Sequence, residues 1–294
     1  MTKIDYTELG ATLFVPATHK DILSIIEGVK YPTLKSVVID TEDGVDDARR
    51  DDAKRIVKKL VRVYKKTKLL VFVRPANVEV LEEFFSYDTI EKIDGFILPK
   101  FSLNNADSYL HLLKNTQFSF MPSIEGSELF DTQKLMMLRD KLLTFTQQII
   151  LVRFGLEDML RQLSMKRSCE DSIFDFAVTN TILGGFLAIF KTSGFGVSGG
   201  VYPYFHGTKG FVRDVKRDLK EGLFSKTIIH PSQIDVLHEL YKVTQEELDD
   251  AKEILENSLS IINLNGTMGE GKTMSPHAQL VVKRAEIYGV VKSY

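Results

Sequence analysis

Acids and bases stand at the ends of apolar runs in this chain, where side chains can be held close together without being buried in the core. The stretch IDTEDGV (39–45) sets Asp40, Glu42 and Asp43 within four positions. Carboxylates crowded in this way repel, so they require a cation, a basic side chain or a shared proton. A turn leading into a helix would use the same residues as caps, and the stretch alone does not separate the two readings. FVRPAN (72–77) ends an apolar run on Arg74. Its planar guanidinium can clamp a carboxylate or a developing oxyanion, or pair structurally with the acids of the preceding run. PSIEG (122–126) and FGLEDM (154–159) place Glu125 and Asp158 after two further runs. Two such oxygen ligands, completed to an octahedron by water and substrate, are a common way to hold Mg2+. Helix capping at each is the alternative.

The elements that must position these residues follow from hydrophobic patterning. Eight apolar runs occur: ATLFVPA (11–17), SVVIDTEDG (36–44), LLVFVRPA (69–76), GFILPKF (95–101), FSFMPSIEG (118–126), QQIILVRFG (147–155), GVSGGVYP (196–203) and TIIHPSQ (227–233). Their hydrophobicity is continuous, not alternating, which suits parallel strands buried on both faces. Helix-patterned segments separate them at 46–66, 77–87, 132–146 and 210–222, the first with Ile56, Leu60 and Val63 on one face. Eight strand–helix units predict an α/β fold, a (β/α)8 TIM barrel; a doubly wound open sheet shares the alternation. In a barrel, the C-terminal strand ends carrying Glu42, Asp43, Arg74, Lys100, Glu125 and Asp158 would share one rim. After the eighth run the pattern changes. TQEELDDAKEILENSLSII (244–262) opens with Thr244 and a Glu three residues later, a capping box, and PHAQLVVKRAEIYG (276–289) is a second helix. The expectation is a barrel over 1–235 with a helical extension over 236–294 as part of the same domain.

Composition narrows the classes of function. Of 294 residues, 44% are apolar and 27% charged, as in an ordinary globular protein. The formal net charge of −2 offers no electrostatic case for binding nucleic acid. No run approaches the roughly 20 apolar residues of a membrane span, and MTKIDYTELG lacks the apolar core of a signal peptide. A single cysteine, Cys169, excludes an internal disulfide, and the six histidines form no pair at i, i+4 spacing suited to zinc. A cytoplasmic location is expected. His230, in IIHPSQ, reads as a packed strand-end residue.

GTMGEGKT (266–273) matches the phosphate-loop pattern G-x-x-x-x-G-K-[ST]. The pattern needs a buried strand before it and a helix opening on its Lys and Thr. SIINLN (260–265) is a poor strand, and Pro276 stands three residues beyond Thr273. Gly266, Gly269 and Gly271 are therefore expected to form a flexible linker between two tail helices.

Taken together, LFVPA, IDTEDGV, FVRPAN, GFILPKF, SIEG, FGLEDM, GGVYPYF and KTIIHPSQI resemble, in order, the HpcH/HpaI aldolase and citrate lyase β-subunit-like family. The resemblance covers about residues 11 to 240, with a weaker tail match at 274–289, and is strongest to the TIM-barrel C–C bond lyase branch found with tellurium-resistance gene clusters. It implies a Mg2+-dependent lyase or aldolase acting next to a carbonyl in a small oxo- or hydroxy-acid or an acyl-CoA thioester. It implies metal ligation by Glu125 and Asp158, catalysis and substrate binding by Arg74, a proton relay or water network on Glu42 and Asp43, and added positive charge from Lys100. It also implies a homo-oligomer, a trimer or larger ring, and a tail able to fold over the active-site mouth, which makes 266–273 a candidate lid. Two departures stand out. CoA-using relatives carry an Arg where PATHKD (16–21) has His19 and Lys20, and an Asp in the tail where KTMSPHAQ (272–279) has none, though Ser275 and His277 are near. The rival to an enzyme is a barrel kept as a scaffold or regulatory subunit.

Overall fold

The computed structural model describes residues 3–257, 261–264 and 266–291. The chain divides into two compact units, Met1–Ile234 and Asp235–Tyr294.

In the first unit, seven of the eight apolar runs form strands: β1 (Thr12–Pro16), β2 (Ser36–Asp40), β3 (Leu70–Arg74), β4 (Gly95–Leu98), β5 (Ser119–Ile124), β6 (Arg153–Phe154) and β7 (Thr227–Ile228). All neighbours pair in parallel, in the order β6-β5-β4-β3-β2-β1-β7. Helices α1 (Ile22–Ile26), α2 (Arg50–Val63), α3 (Val78–Phe85), α4 (Ala106–Leu113), α5 (Thr132–Leu143), α6 (Leu156–Gln162), α7 (Ala177–Lys191) and α8 (Thr208–Lys220) lie between the strands in the chain.

The expected seventh strand, 196–203, does not form. Its residues close the ring nonetheless. Val197 bridges Val152 in parallel. The Ser198 N–H donates to the Val152 carbonyl at 3.2 Å, and the Phe224 and Thr227 N–H groups donate to the Val197 and Gly199 carbonyls at 3.1 and 3.3 Å. The segment thus joins β6 to β7 and turns the curled sheet into a TIM barrel. Its glycines explain why no longer ladder develops. A Cβ at Gly199 would stand 2.5 Å from an Asp218 carboxylate oxygen, and one at Gly200 2.7 Å from Leu156. Close packing selects glycine here, and glycine weakens an extended strand.

A second difference lies in α2. Its buried residues are Ala53, Val57, Leu60 and Val61, whereas Val63 is exposed. Leu60 is common to the expected and observed faces, but the buried face is turned toward Ala53, Val57 and Val61.

Inside the barrel, Leu9, Val38, Phe72, Ile97, Met121 and Leu151 form one apolar cluster. Successive strand residues point to opposite faces, so a side chain two positions along shares the interior. Moving two residues from Val38, Phe72, Met121 and Leu151 toward the strand C-termini gives Asp40, Arg74, Ser123 and Arg153. The apolar interior and the polar mouth are thus consecutive levels of the same strand faces.

The second unit is built from α9 (Gln233–Tyr241), which begins at the end of the first, β8 (Val243–Thr244), α10 (Gln245–Glu256), a hairpin of β9 (Ile261–Leu264) and β10 (Thr267–Glu270), α11 (Gly271–Tyr288) and β11 (Val290–Val291), which pairs with β8. Val243, Ala251, Ile254, Leu264, Ala278 and Val281 form its core. The capping box is present: Thr244 Oγ accepts from the Glu247 N–H at 3.1 Å, and the Glu247 carboxylate accepts from the Thr244 N–H at 2.7 Å. The helix ends earlier than its pattern suggests, at Glu256, and 261–262 belong to the hairpin.

GTMGEGKT is not a linker. Residues 267–270 are a paired strand, and α11 opens on Gly271 and continues through Pro276. The helix start on Lys272 and Thr273 is therefore present after all. What is missing is the cradle: a phosphate loop curls so that successive N–H groups converge, but here the chain is extended. The Gly266 N–H is taken by Asn263 Oδ1 at 3.0 Å, and the Glu270 N–H by Met274 sulfur at 3.2 Å.

Candidate active site

A cavity of about 440 Å3 opens among the C-terminal strand ends of the first unit. Its walls include Phe14 and Pro16 of β1, Asp40 of β2, Arg74 of β3, Ser123 and Glu125 at the end of β5, Arg153 of β6, Asp158 of α6 and Thr227 of β7. Asp43, Arg74, Glu125 and Asp158, four of the residues singled out by their placement after apolar runs, share this lining. Glu42 and Lys100 are outside it and bond to residues within it.

Arg74 organises one side. Its Nε and Nη2 donate to the two carboxylate oxygens of Asp40 at 2.7 and 2.6 Å, and its Nη1 lies 2.9 Å from Glu42 and 3.7 Å from Asp43. Asp40 also accepts the N–H groups of Glu42 and Gly44 at 3.0 and 2.9 Å, which folds the acidic turn around it. Burial disfavours the guanidinium charge, but the hydrogen bonds it donates to Asp40 and the negative charge of the neighbouring acids outweigh it and raise its pKa. The pairing reading of Arg74 is therefore realised. It leaves one N–H on each Nη for a substrate oxygen, since a guanidinium carries five donors.

Lys100, whose backbone is in the left-handed region at φ 47°, reaches both acids: its ammonium pairs with Glu42 and, at 3.1 Å, with Asp43. Its backbone N–H donates to Glu125 Oε1 at 2.9 Å. Glu42, 1% exposed, has its pKa raised mainly by burial, against the pull of Arg74. For Asp43, burial acts upward, but the hydrogen bond with Glu42 and the charges of Arg74 and Lys100 win and lower it. The two neighbouring acids are thus shifted in opposite directions.

Capping is not what these acids do. The helical turn before α2 is capped by Asp46, whose carboxylate accepts the Ala48 N–H at 3.0 Å. Glu125 accepts from Ser123 Oγ at 2.9 Å and from Lys100, and α6 has no side-chain cap at all. Asp158 pairs instead with Arg161 one turn on, at 2.6 Å.

The donor set fits a hard divalent cation. Glu125 is 7% exposed, and its pKa is pushed up to about 7, first by burial and then by the negative charge of Asp158. Two carboxylates facing one cavity and repelling each other are relieved by a cation bound between them. Among the described residues no cluster of three or more His, Cys, Asp or Glu side chains forms a fuller cage. This suits Mg2+, which keeps several waters and takes one or two carboxylates.

Patterning missed Arg153, Ser123, Thr227 and the clamp role of Asp40. Arg153 had a readable signal, a charge embedded in the apolar run QQIILVRFG, of the same kind that marks Arg74. Ser123 and Thr227 had none, because small hydroxyl residues are unremarkable in strands.

With the geometry in place, comparison with known proteins assigns the family. The sequence profile described as C–C bond lyase of the TIM-barrel fold matches residues 3–290. The chain belongs to this family. Among individual C–C lyase relatives, citrate lyase subunit beta of Escherichia coli (strain K12) is 26% identical over 300 residues, covering 95% of this chain and 93% of the relative. The Haemophilus influenzae citrate lyase subunit beta is 26% identical over 291 residues, covering 93% and 96%. Among solved structures, CitE from Mycobacterium tuberculosis in complex with magnesium, acetoacetate and coenzyme A superposes with a TM-score of 0.71 at 18% identity, over 96% of this chain and 99% of that one. RipC from Yersinia pestis gives 0.64 at 18%, over 83% and 100%. The M. tuberculosis citrate lyase beta subunit complexed with oxaloacetate and magnesium gives 0.59 at 17%, over 80% and 98%. These likenesses bear out the expected barrel and the family resemblance.

Proposed function

We propose that the protein is a Mg2+-dependent carbon–carbon lyase that cleaves or forms a bond next to the carbonyl of a small oxo- or hydroxy-acid. The observation that carries the reading is Glu125, a nearly buried carboxyl opposed by Asp158 and sharing a cavity with Arg74. The M. tuberculosis relatives bound to magnesium with oxaloacetate or pyruvate support the same reading.

Glu125 and Asp158 would hold the metal, which when bound supplies a Lewis acid for the substrate's carbonyl oxygen. The residues themselves account for the rest. Breaking the bond leaves its electron pair on the carbonyl fragment as an enolate, while the other fragment loses a hydroxyl proton and becomes a carbonyl. Arg74, held in position by the Asp40 fork, would stabilise the developing oxyanion. Asp43, on the cavity wall, would accept the hydroxyl proton, and Glu42, packed behind it, would extend the relay. Lys100 keeps the two acids together and anchors Glu125 through its backbone. A CoA thioester is the less supported substrate, because the chain has His19 and Lys20 where CoA-using relatives carry an Arg.

The reading includes a cytoplasmic location and a homo-oligomer, the latter supported by resemblance alone. Calorimetric titration with Mg2+, then with pyruvate or oxaloacetate, tests it. Glu125→Gln and Asp158→Asn should each abolish Mg2+ binding and turnover in a folded protein. Unchanged Mg2+ affinity in both variants would sink the metal assignment. Absence of any Mg2+ or oxo-acid binding by the parent would favour a scaffold.

A further inference from the structure

Arg153 is a buried cation that the protein itself does not neutralise. Its side chain enters the barrel interior, only 3% of the residue is exposed, and it lines the cavity. Nη1 donates to Thr227 Oγ1 at 2.8 Å. Nε and Nη2 have no protein acceptor. The site's acids face other partners: Asp40 and Glu42 bind Arg74, Glu125 accepts from Ser123 and Lys100, and Asp158 pairs with Arg161. No ion pair among the described residues includes Arg153. Its one aromatic neighbour, Phe14, lies 5.3 Å from the guanidinium carbon and cannot supply a counter-charge.

Burying an unpaired charge opposes folding by several kcal/mol, and apolar residues of similar size would avoid that. Burial, with the charge of Arg74, lowers the Arg153 pKa to about 9, which leaves it cationic at neutral pH. The free nitrogens matter as much as the charge. Nε and Nη2 form the same guanidinium edge by which Arg74 grips both oxygens of Asp40. Two parallel N–H groups on that edge match a carboxylate. Here no protein acid takes that edge, and Arg153 lines the cavity.

We infer that Arg153 is a specificity-determining residue that clamps a second carboxylate of the substrate, distinct from the oxo-acid end addressed by Glu125, Asp158 and Arg74. The inference rests on the lyase reading for the position of that first end. It makes the substrate a dicarboxylate, with its remote acid group recognised in a fork and its reactive carbonyl at the acidic rim.

The test compares two oxo-acids that differ by one carboxylate, pyruvate and oxaloacetate, by calorimetry on the Mg2+-loaded protein. The parent should bind oxaloacetate at least tenfold more tightly than pyruvate. Arg153→Gln should erase that preference while leaving pyruvate and Mg2+ affinities unchanged. No preference in the parent, no binding of either acid, or a preference that survives in Arg153→Gln overturns the assignment. Equal weakening of both acids overturns it too, since Arg153 would then serve the shared end or the fold. Pyruvate binding that ignores Mg2+ would count against the metal reading while leaving the Arg153 comparison intact. A second variant separates structure from function. Arg153→Met removes an unpaired buried charge, so the ligand-free protein should melt at a higher temperature than the parent. A lower melting temperature overturns the inference.

Discussion

Gly155 lies so close to Glu125 that no side chain fits between them: a Cβ on Gly155 would stand 2.0 Å from the Cβ of Glu125. The Gly155 N–H also donates to the Ile124 carbonyl at 2.9 Å, fixing β5 and the turn into α6 together. The two carboxylates assigned to the metal are thus carried by segments in direct contact, Glu125 on one and Asp158 three residues beyond Gly155 on the other. Gly155→Ala should destabilise the protein by about 1–3 kcal/mol through overpacking. It should also weaken Mg2+ binding at least tenfold by displacing Glu125. Denaturant unfolding and calorimetry read the two effects separately, and an alanine variant with parental Mg2+ affinity would contradict the second.

Protonation of Glu125 should govern metal binding. Its pKa of about 7 lies above the ordinary 4.5 because of burial and Asp158. Mg2+ requires the ionised form, so affinity should fall about tenfold per pH unit below 7 and level off above it. Stability of the metal-free protein runs the other way. A raised carboxyl pKa contributes stability that is complete below about 4.5 and lost as pH rises through 7, a change on the order of 3 kcal/mol. Glu125→Gln should flatten that part of the stability profile, which denaturant titrations at pH 5 and 8 would show.

Asp40 and Arg74 should respond differently to conservative changes. Asp40→Asn breaks a buried fork and leaves Arg74 under-compensated, so a loss of about 3 kcal/mol in stability is expected. Arg74→Lys keeps the charge but cannot span both Asp40 oxygens and the cavity together. It should lower kcat by roughly a hundredfold with a smaller change in KM, the pattern of an interaction made in the transition state. Parental kcat in Arg74→Lys would remove Arg74 from the oxyanion role.

In the second unit, Thr244→Ala deletes the capping-box hydroxyl that accepts the Glu247 N–H at 3.1 Å. A cost of about 1 kcal/mol is expected, measured by denaturant unfolding, with no change in Mg2+ affinity.

The strands and the acids that follow them were legible because each depends on local pattern. Continuous hydrophobicity marked β1 to β6 and β7, and the polar residues at their ends marked the rim. Three features were not legible for a common reason: they depend on what lies across the fold. The run 196–203 has strand-like residues, but Asp218 and Leu156 press on Gly199 and Gly200 from elsewhere in the chain. The buried face of α2 includes Ala53, which counts as weakly apolar in sequence and is fully buried in the fold. Whether Arg74 or Arg153 keeps a free edge is decided by Asp40, which parallel register places opposite Arg74 and not opposite Arg153. GTMGEGKT shows the converse. A phosphate-binding pattern can be satisfied letter by letter and still lie along a hairpin strand.

Phe14 touches both halves of the site. Its ring lies 5.2 Å from the guanidinium carbon of Arg74 and 5.3 Å from that of Arg153. Both guanidinium groups thus pack against one ring, whose electron-rich face attracts each cation. A change of ring at Phe14 would therefore touch both arginines at once without altering a single charge.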